Sequence, residues 1–124
     1  MKVGDHAQCE YRFGPADLEA YLDFSGGEAR PGQVPEPLVN ALFSRLLGTV
    51  LPGLGAAYLK QETRYLKDAP LGVPLTARVE VTDIRAAKHL ADLVTTCHAP
   101  DGVLIAEGRA LVYTRDVGRL PKRG

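Results

Sequence analysis

The longest apolar run of the chain, 34–52, has the spacing of a helix. Leu38, Val39, Ala41, Leu42, Phe43, Leu46, Leu47, Val50 and Leu51 cover most of a helical circumference, well beyond the single stripe of a surface helix. Glu36, Asn40 and Ser44, spaced by four, are its polar edge. A helix this apolar has to be wrapped by the rest of the chain. Pro37 fits its first turn, where a missing N–H matters little, and Pro52-Gly53 stops it. Gly48 costs about 1 kcal/mol in a helix interior relative to Ala, and the expectation is that another backbone approaches closely there.

The flanking segments have a different period. Residues 7–13 alternate strictly, with Ala7, Cys9, Tyr11 and Phe13 on one face, as in a half-buried strand. Pro15 opens a short helix, Asp17 sits in its first turn against the positive end of the dipole, and Gly26-Gly27 ends it. Leu18, Tyr21 and Leu22 share one face of that helix. Residues 28–33 read as a short connection. Beyond the central helix, 57–66 is a long β-compatible stretch and 70–74 a loop. Leu75, Ala77, Val79 and Val81 alternate with polar residues, 90–97 is another strand, and Pro100-Asp101-Gly102 turns the chain into a last strand at 103–114. Ala106, Gly108, Ala110 and Val112 share a face of that strand, and their small size suits a surface lying against a helix. The basic tail, 115–124, reads as a solvated terminus.

The order is strand, short helix, long apolar helix, then four strands. The short turns between the later strands imply antiparallel pairing. The expectation is an α+β fold in which one sheet of about five strands curls around one helix. A single sheet leaves open edges and an outer face, so a dimer that extends or stacks the sheets is expected.

Composition narrows the class. A length of 124 residues is one domain, 1–124, and 45% apolar with 24% charged residues is a globular balance. Zero net charge argues against a nucleic-acid or anionic-membrane partner. No run reaches the roughly 18 apolar residues of a membrane span, and Met1-Lys2-Val3-Gly4-Asp5 carries no signal peptide, so a soluble cytoplasmic protein is expected. Cys9 and Cys97 have no metal spacing. Two reduced thiols are the preferred reading, with a disulfide between them left open. No metal or bound cofactor is expected.

Beyond these patterns, Leu46-Leu47-Gly48, Leu51-Pro52-Gly53, Gly55, Tyr58-Leu59 and Gln61 resemble the stretch after the central helix of the MaoC-like, (R)-specific enoyl-CoA hydratases. Tyr65, Gly72, Val79-Glu80-Val81 and the small-residue strand around Gly108-Arg109-Ala110 continue the likeness, and Ser25-Gly26 is similar to the end of that family's first helix. The resemblance implies the hotdog fold. It also implies an acyl-CoA or acyl-carrier thioester ligand near Glu36, Asn40, Gly53, Gly55 and Tyr58.

The same resemblance breaks at the chemistry. Those hydratases carry Ser-Gly-Asp-x-Asn-Pro-x-His and then Val-His-Gly at the central helix, and the Asp and the first His hold and activate the added water. Here Gly27 follows Ser25-Gly26, no Asn-Pro-x-His comes after it, and Pro35 stands in Val34-Pro35-Glu36-Pro37 where the second motif has its His. His6, His89 and His98 lie elsewhere in the order of the chain.

No catalytic residue is assigned. Glu28, one position beyond the lost Asp, and Glu36, the central helix's acid, are the two candidates. Their simpler readings, a solvated loop acid and a carboxylate favoured by the helix dipole, are preferred. For Asn40 and Ser44, ordinary hydrogen bonding on a buried helix is likewise preferred. The functional expectation is a degenerate MaoC-like protein that binds acyl thioester or partners a catalytic hotdog subunit, as homodimer or heterodimer. The alternatives are an active hydratase or dehydratase with non-standard site residues, a hotdog thioesterase (whose His-Gly-Gly is absent), and a structural dimer without ligand.

Overall fold

A computed structural model describes residues 1–118. Its elements are β1 (His6–Arg12), α1 (Pro15–Ser25), β2 (Gln33–Val34), α2 (Glu36–Thr49), β3 (Ala57–Tyr65), β4 (Ala69–Pro70), β5 (Pro74–Arg85), β6 (Leu90–His98) and β7 (Leu104–Tyr113). The five long strands form one antiparallel sheet in the order β1-β5-β6-β7-β3, and β2 pairs with β4. The strand that follows α2 therefore crosses to the far edge instead of joining its sequence neighbour β5. Pro70 is in β4, so the loop expected at 70–74 begins one residue late, because pairing with β2 draws 69–70 into a second, two-stranded sheet.

Alternation along β5 sends Leu75, Ala77, Val79 and Val81 to one face, all at most 1% exposed. Register carries that face across the sheet. Cys9, Ala77, Cys97, Ala106 and Tyr65 form one rung, and Ala7, Val79, Thr95, Gly108 and Thr63 the next. Onto this face α2 lays Val39, Leu42, Phe43, Leu46 and Leu47, each no more than 4% exposed.

Other expectations about α2 need correction. The helix is not buried all round: Ala41 and Val50 are exposed and Leu38 is half-buried, because the sheet covers one side only. No backbone approaches Gly48, since a Cβ there would meet nothing within 4 Å. The close approach occurs at Gly108, where a Cβ would lie 1.9 Å from the Glu62 carbonyl oxygen. The small face of β7 thus admits the neighbouring strand β3 at that position, not a helix.

The two thiols are free. Cys9 and Cys97 both pair with Ala77, from opposite sides, so two strand spacings of about 4.8 Å separate them. A disulfide needs Cα atoms within about 7 Å, so none forms. Burial and the nearby Cys9 push the Cys97 thiol up to about 11.

α1 begins with Asp17 accepting from the Gly14 N–H and the Tyr11 hydroxyl, each at 2.8 Å, and ends at left-handed Gly26. Its Leu18, Tyr21 and Leu22 are only half-buried. Of the tail, 115–118 is not free: it turns back so that the Gly118 N–H donates to the Leu54 carbonyl. Residues 119–124 lie outside the described part. No helix among the described residues is long and apolar enough to cross a membrane.

Candidate functional site

The N-terminus of α2 opens into a cleft of about 460 Å³. Its floor is apolar, made by Val34, Val39, Ala69 and Ile105, all at most 5% exposed. Its rim is polar and comes from two distant segments, Glu28 and Arg30 before β2, and Lys67 and Asp68 before β4. The β2–β4 pairing holds these segments together. Gln33 Nε2 donates to Asp68 Oδ2 at 2.9 Å, and Arg30 pairs with Asp68 at 3.8 Å.

At the helix tip few donors survive. Pro35 caps the helix and Pro37 has no N–H, while the Leu38 and Val39 N–H groups both turn back to the Pro35 carbonyl. The Glu36 N–H is the donor left at the tip. Beside it, the Tyr65 hydroxyl donates to the Glu36 carbonyl oxygen at 3.2 Å. Burial, and next the Glu36 carboxylate, raise the Tyr65 phenol above its usual range, which keeps it a neutral donor.

Of the candidate catalytic residues named from the sequence, both Glu28 and Glu36 line the cleft, as does Pro35. Asn40 lies one turn deeper and does not line it. Its Oδ1 accepts from Gln61 Nε2 at 2.9 Å and Thr63 Oγ1 at 3.0 Å, which locks α2 onto β3. Tyr58 sits further along α2 at Ser44; burial raises its phenol, opposed by the Ser44 hydroxyl.

Gly53 and Gly55 also lie outside the cleft lining. Gly53, at φ +105°, donates to the Leu47 carbonyl beyond the end of α2. At Gly55 a Cβ would stand 1.9 Å from the Asp116 carbonyl oxygen, so this glycine seats the end of the described chain. Arg30, Lys67 and Asp68 were not legible as site residues, since only the β2–β4 pairing brings 28–33 beside 66–69.

No histidine lines the cleft. His6 starts β1, His98 ends β6, and His89 occupies a left-handed turn with its ring 6.1 Å from that of Tyr113. Among the described residues no group of three or more His, Cys, Asp or Glu side chains is placed to hold a metal ion. The cleft therefore offers an apolar floor, one helix-tip N–H, the neutral Tyr65 phenol and three carboxylates, Glu28, Glu36 and Asp68.

A five-stranded antiparallel sheet curled against one apolar helix, with a cleft at the helix tip, is the hotdog architecture. No protein-family model matches the chain. The (R)-specific enoyl-CoA hydratase of Aeromonas caviae is 34% identical over 126 aligned positions, covering 90% of this chain and 94% of that protein. The solved (R)-hydratase of A. caviae involved in PHA biosynthesis superposes with a TM-score of 0.87 at 33% identity, over 92% of this chain and 97% of the other. An R-hydratase of Pseudomonas aeruginosa in unliganded form shares the fold, with a TM-score of 0.86 at 23% identity, over 100% of this chain and 92% of the other. This chain belongs to the MaoC-like, (R)-specific enoyl-CoA hydratase family.

Proposed function

We propose that this protein binds acyl thioesters, as acyl-CoA or acyl-carrier thioesters, without hydrating them. The observation that carries this reading is an open cleft at the tip of α2 with Gly27 in place of the motif's Asp, no Asn-Pro-x-His after it and no histidine in its wall. The apolar floor suits an acyl chain. The Glu36 N–H, at the positive end of the helix dipole, suits a thioester carbonyl. Arg30 and Lys67 on the rim suit the polar and anionic remainder of the carrier.

Hydration needs more than this. One group must take a proton from water as another delivers one to the α-carbon, each worth roughly 10²–10⁴ in rate. The carboxylates and the Tyr65 phenol of the cleft are not the Asp and His pair that the resembling hydratases use for these two transfers. A catalytic hotdog subunit could provide the pair in a heterodimer, and a homodimer of this chain could not.

Calorimetric titration with acetyl-, butyryl- and hexanoyl-CoA tests the binding. Saturable heat is expected, and no binding at about 1 mM ligand would overturn the reading. In parallel, loss of enoyl absorbance from crotonyl-CoA should match buffer. A faster rate that Glu36→Gln or Glu28→Gln abolishes would instead establish an active enzyme with a non-standard base.

A further inference from the structure

The outer face of the sheet carries a second hollow, of about 210 Å³, that shares no residue with the cleft. Leu111 of β7 is in its lining, with Lys60 of β3 paired on one side and Asp92 of β6 on the other. Arg109, two residues before Leu111, Arg85, the last residue of β5, and Glu62 complete the wall. Three cations thus face two carboxylates.

The surplus charge is built around a buried anchor. The Asp92 side chain is only 10% exposed, and a carboxylate so buried needs a cationic partner. One guanidinium would neutralise it, and the fold supplies two. Arg85 Nη2 donates to Asp92 Oδ2 at 2.9 Å and Arg109 Nη2 to Oδ1 at 3.0 Å. Each arginine gives Asp92 a single nitrogen, not the two-nitrogen fork that grips a carboxylate through parallel bonds. The triad of Arg85, Asp92 and Arg109 therefore keeps one positive charge and further donor capacity on both planar groups. The neighbouring acids do not absorb it at close range. Glu62 is engaged by Lys60, with Nζ and Oε1 3.0 Å apart. Asp83 Oδ2 is 3.7 Å from Arg85 Nε, outside hydrogen-bond range and outside the lining.

We infer that this hollow binds a compact oxyanion, a phosphate or a small carboxylate, between Arg85 and Arg109, with Asp92 setting the spacing of the two guanidiniums. Its volume is below the roughly 300–1,000 Å³ of a drug-sized ligand site, which limits the occupant to a few heavy atoms. Lys60 adds charge at the wall, and Leu111 offers contact to the apolar part of a carboxylate. The site stands apart from the cleft and does not rest on the function proposed for it.

The test is a titration of ¹⁵N-labelled protein followed by NMR at constant ionic strength, reading the Arg85 Nε–H and Leu111 amide signals. Inorganic phosphate and butyrate are the two probes, and sodium chloride is the reference. Saturable shifts with at least one probe, at a dissociation constant of about 1 mM or below, are expected. The tighter of the two identifies the class of anion. Arg109→Gln should weaken binding about tenfold or more. Arg109→Lys leaves Asp92 a cationic partner and removes the planar fork, so it should fold and still weaken binding several-fold. Arg78→Gln removes an outer-face charge that is paired with Glu80 away from the hollow, and should leave binding unchanged. Shifts no different from those with chloride, an equal loss in Arg78→Gln, or Arg109 variants that bind like the wild type would each overturn the proposal. None of these outcomes depends on acyl thioester binding.

Discussion

The interior beneath α2 and the cleft at its tip are joined within one turn of helix, yet they answer to different constraints. Inside, Val39, Leu42, Phe43, Leu46 and Leu47 fill the space under α2 on the inner sheet face, and Asn40 has both Gln61 and Thr63 as partners. At the tip, Gly27 and Pro35 stand where the resemblance would put the first motif's Asp and the second motif's His, and the connection from α1 to β2 is seven residues long. Core packing contributes directly to folding free energy, so its loss is felt in every molecule. An acid–base pair contributes to a transition state, so its loss leaves the fold intact. The difference explains how the chain keeps a TM-score of 0.87 to an (R)-hydratase without the residues that the motif requires.

Variants of the interior should therefore break stability while those of the tip should not. The largest effect is expected from Gly108→Ala. Its Cβ would fall 1.9 Å from the Glu62 carbonyl oxygen, and the neighbouring backbone cannot yield cheaply. Destabilisation of about 3 kcal/mol is expected in urea unfolding. Gly48→Ala is the counterpart: with open space around it and a helical backbone, it should stabilise by about 1 kcal/mol. Equal effects at the two glycines would remove the distinction between a packed contact and a tolerated helix breaker.

An effect smaller than that of Gly108→Ala is expected at Thr95, which is fully buried with its hydroxyl unpartnered between Val79 and Gly108. Thr95→Val keeps the shape and removes an unsatisfied polar group, so the unfolding free energy should rise by about 1–2 kcal/mol, seen as a higher urea midpoint. A lower midpoint would show that the hydroxyl contributes an interaction.

The smallest effect is electrostatic and lies at the start of α1. The Gly14 N–H, then the Tyr11 hydroxyl, hold the Asp17 carboxyl below its ordinary value of about 3.9. A depressed folded pKa gives stability that is complete above the unfolded value and fades as pH falls through the folded one. Thermal midpoints of wild type and Asp17→Asn should differ at pH 7 and converge in acid below the folded value. A gap that persists there would mean that Asp17 acts through shape instead of charge.

Asp92 shows what pattern alone misses. It lies in an alternating strand and is only 7% exposed, on the outer face, with Arg85 and Arg109 on its two oxygens at 2.9 and 3.0 Å. Nothing local separates it from a solvated strand acid, because its partners lie 7 and 17 residues away. The cysteines are similar: their spacing in sequence leaves a disulfide open, and only the Ala77 register closes that question. Gly55 and Gly108 look alike in sequence with Gly48, but contact with a distant backbone sets the first two apart.

Periodicity depends on neighbours a few residues apart. The sequence by itself therefore determined the single apolar helix, the alternating strands and their antiparallel pairing. It also determined that Gly27 and Pro35 stand where the two motifs of the resembling hydratases have Asp and His respectively. The tertiary structure alone decided that β3 crosses to the free edge, that Arg30, Lys67 and Asp68 meet at the helix tip, and which glycine is packed against backbone. Those outcomes depend on strand order and register, which join residues far apart in the chain and leave no local signature.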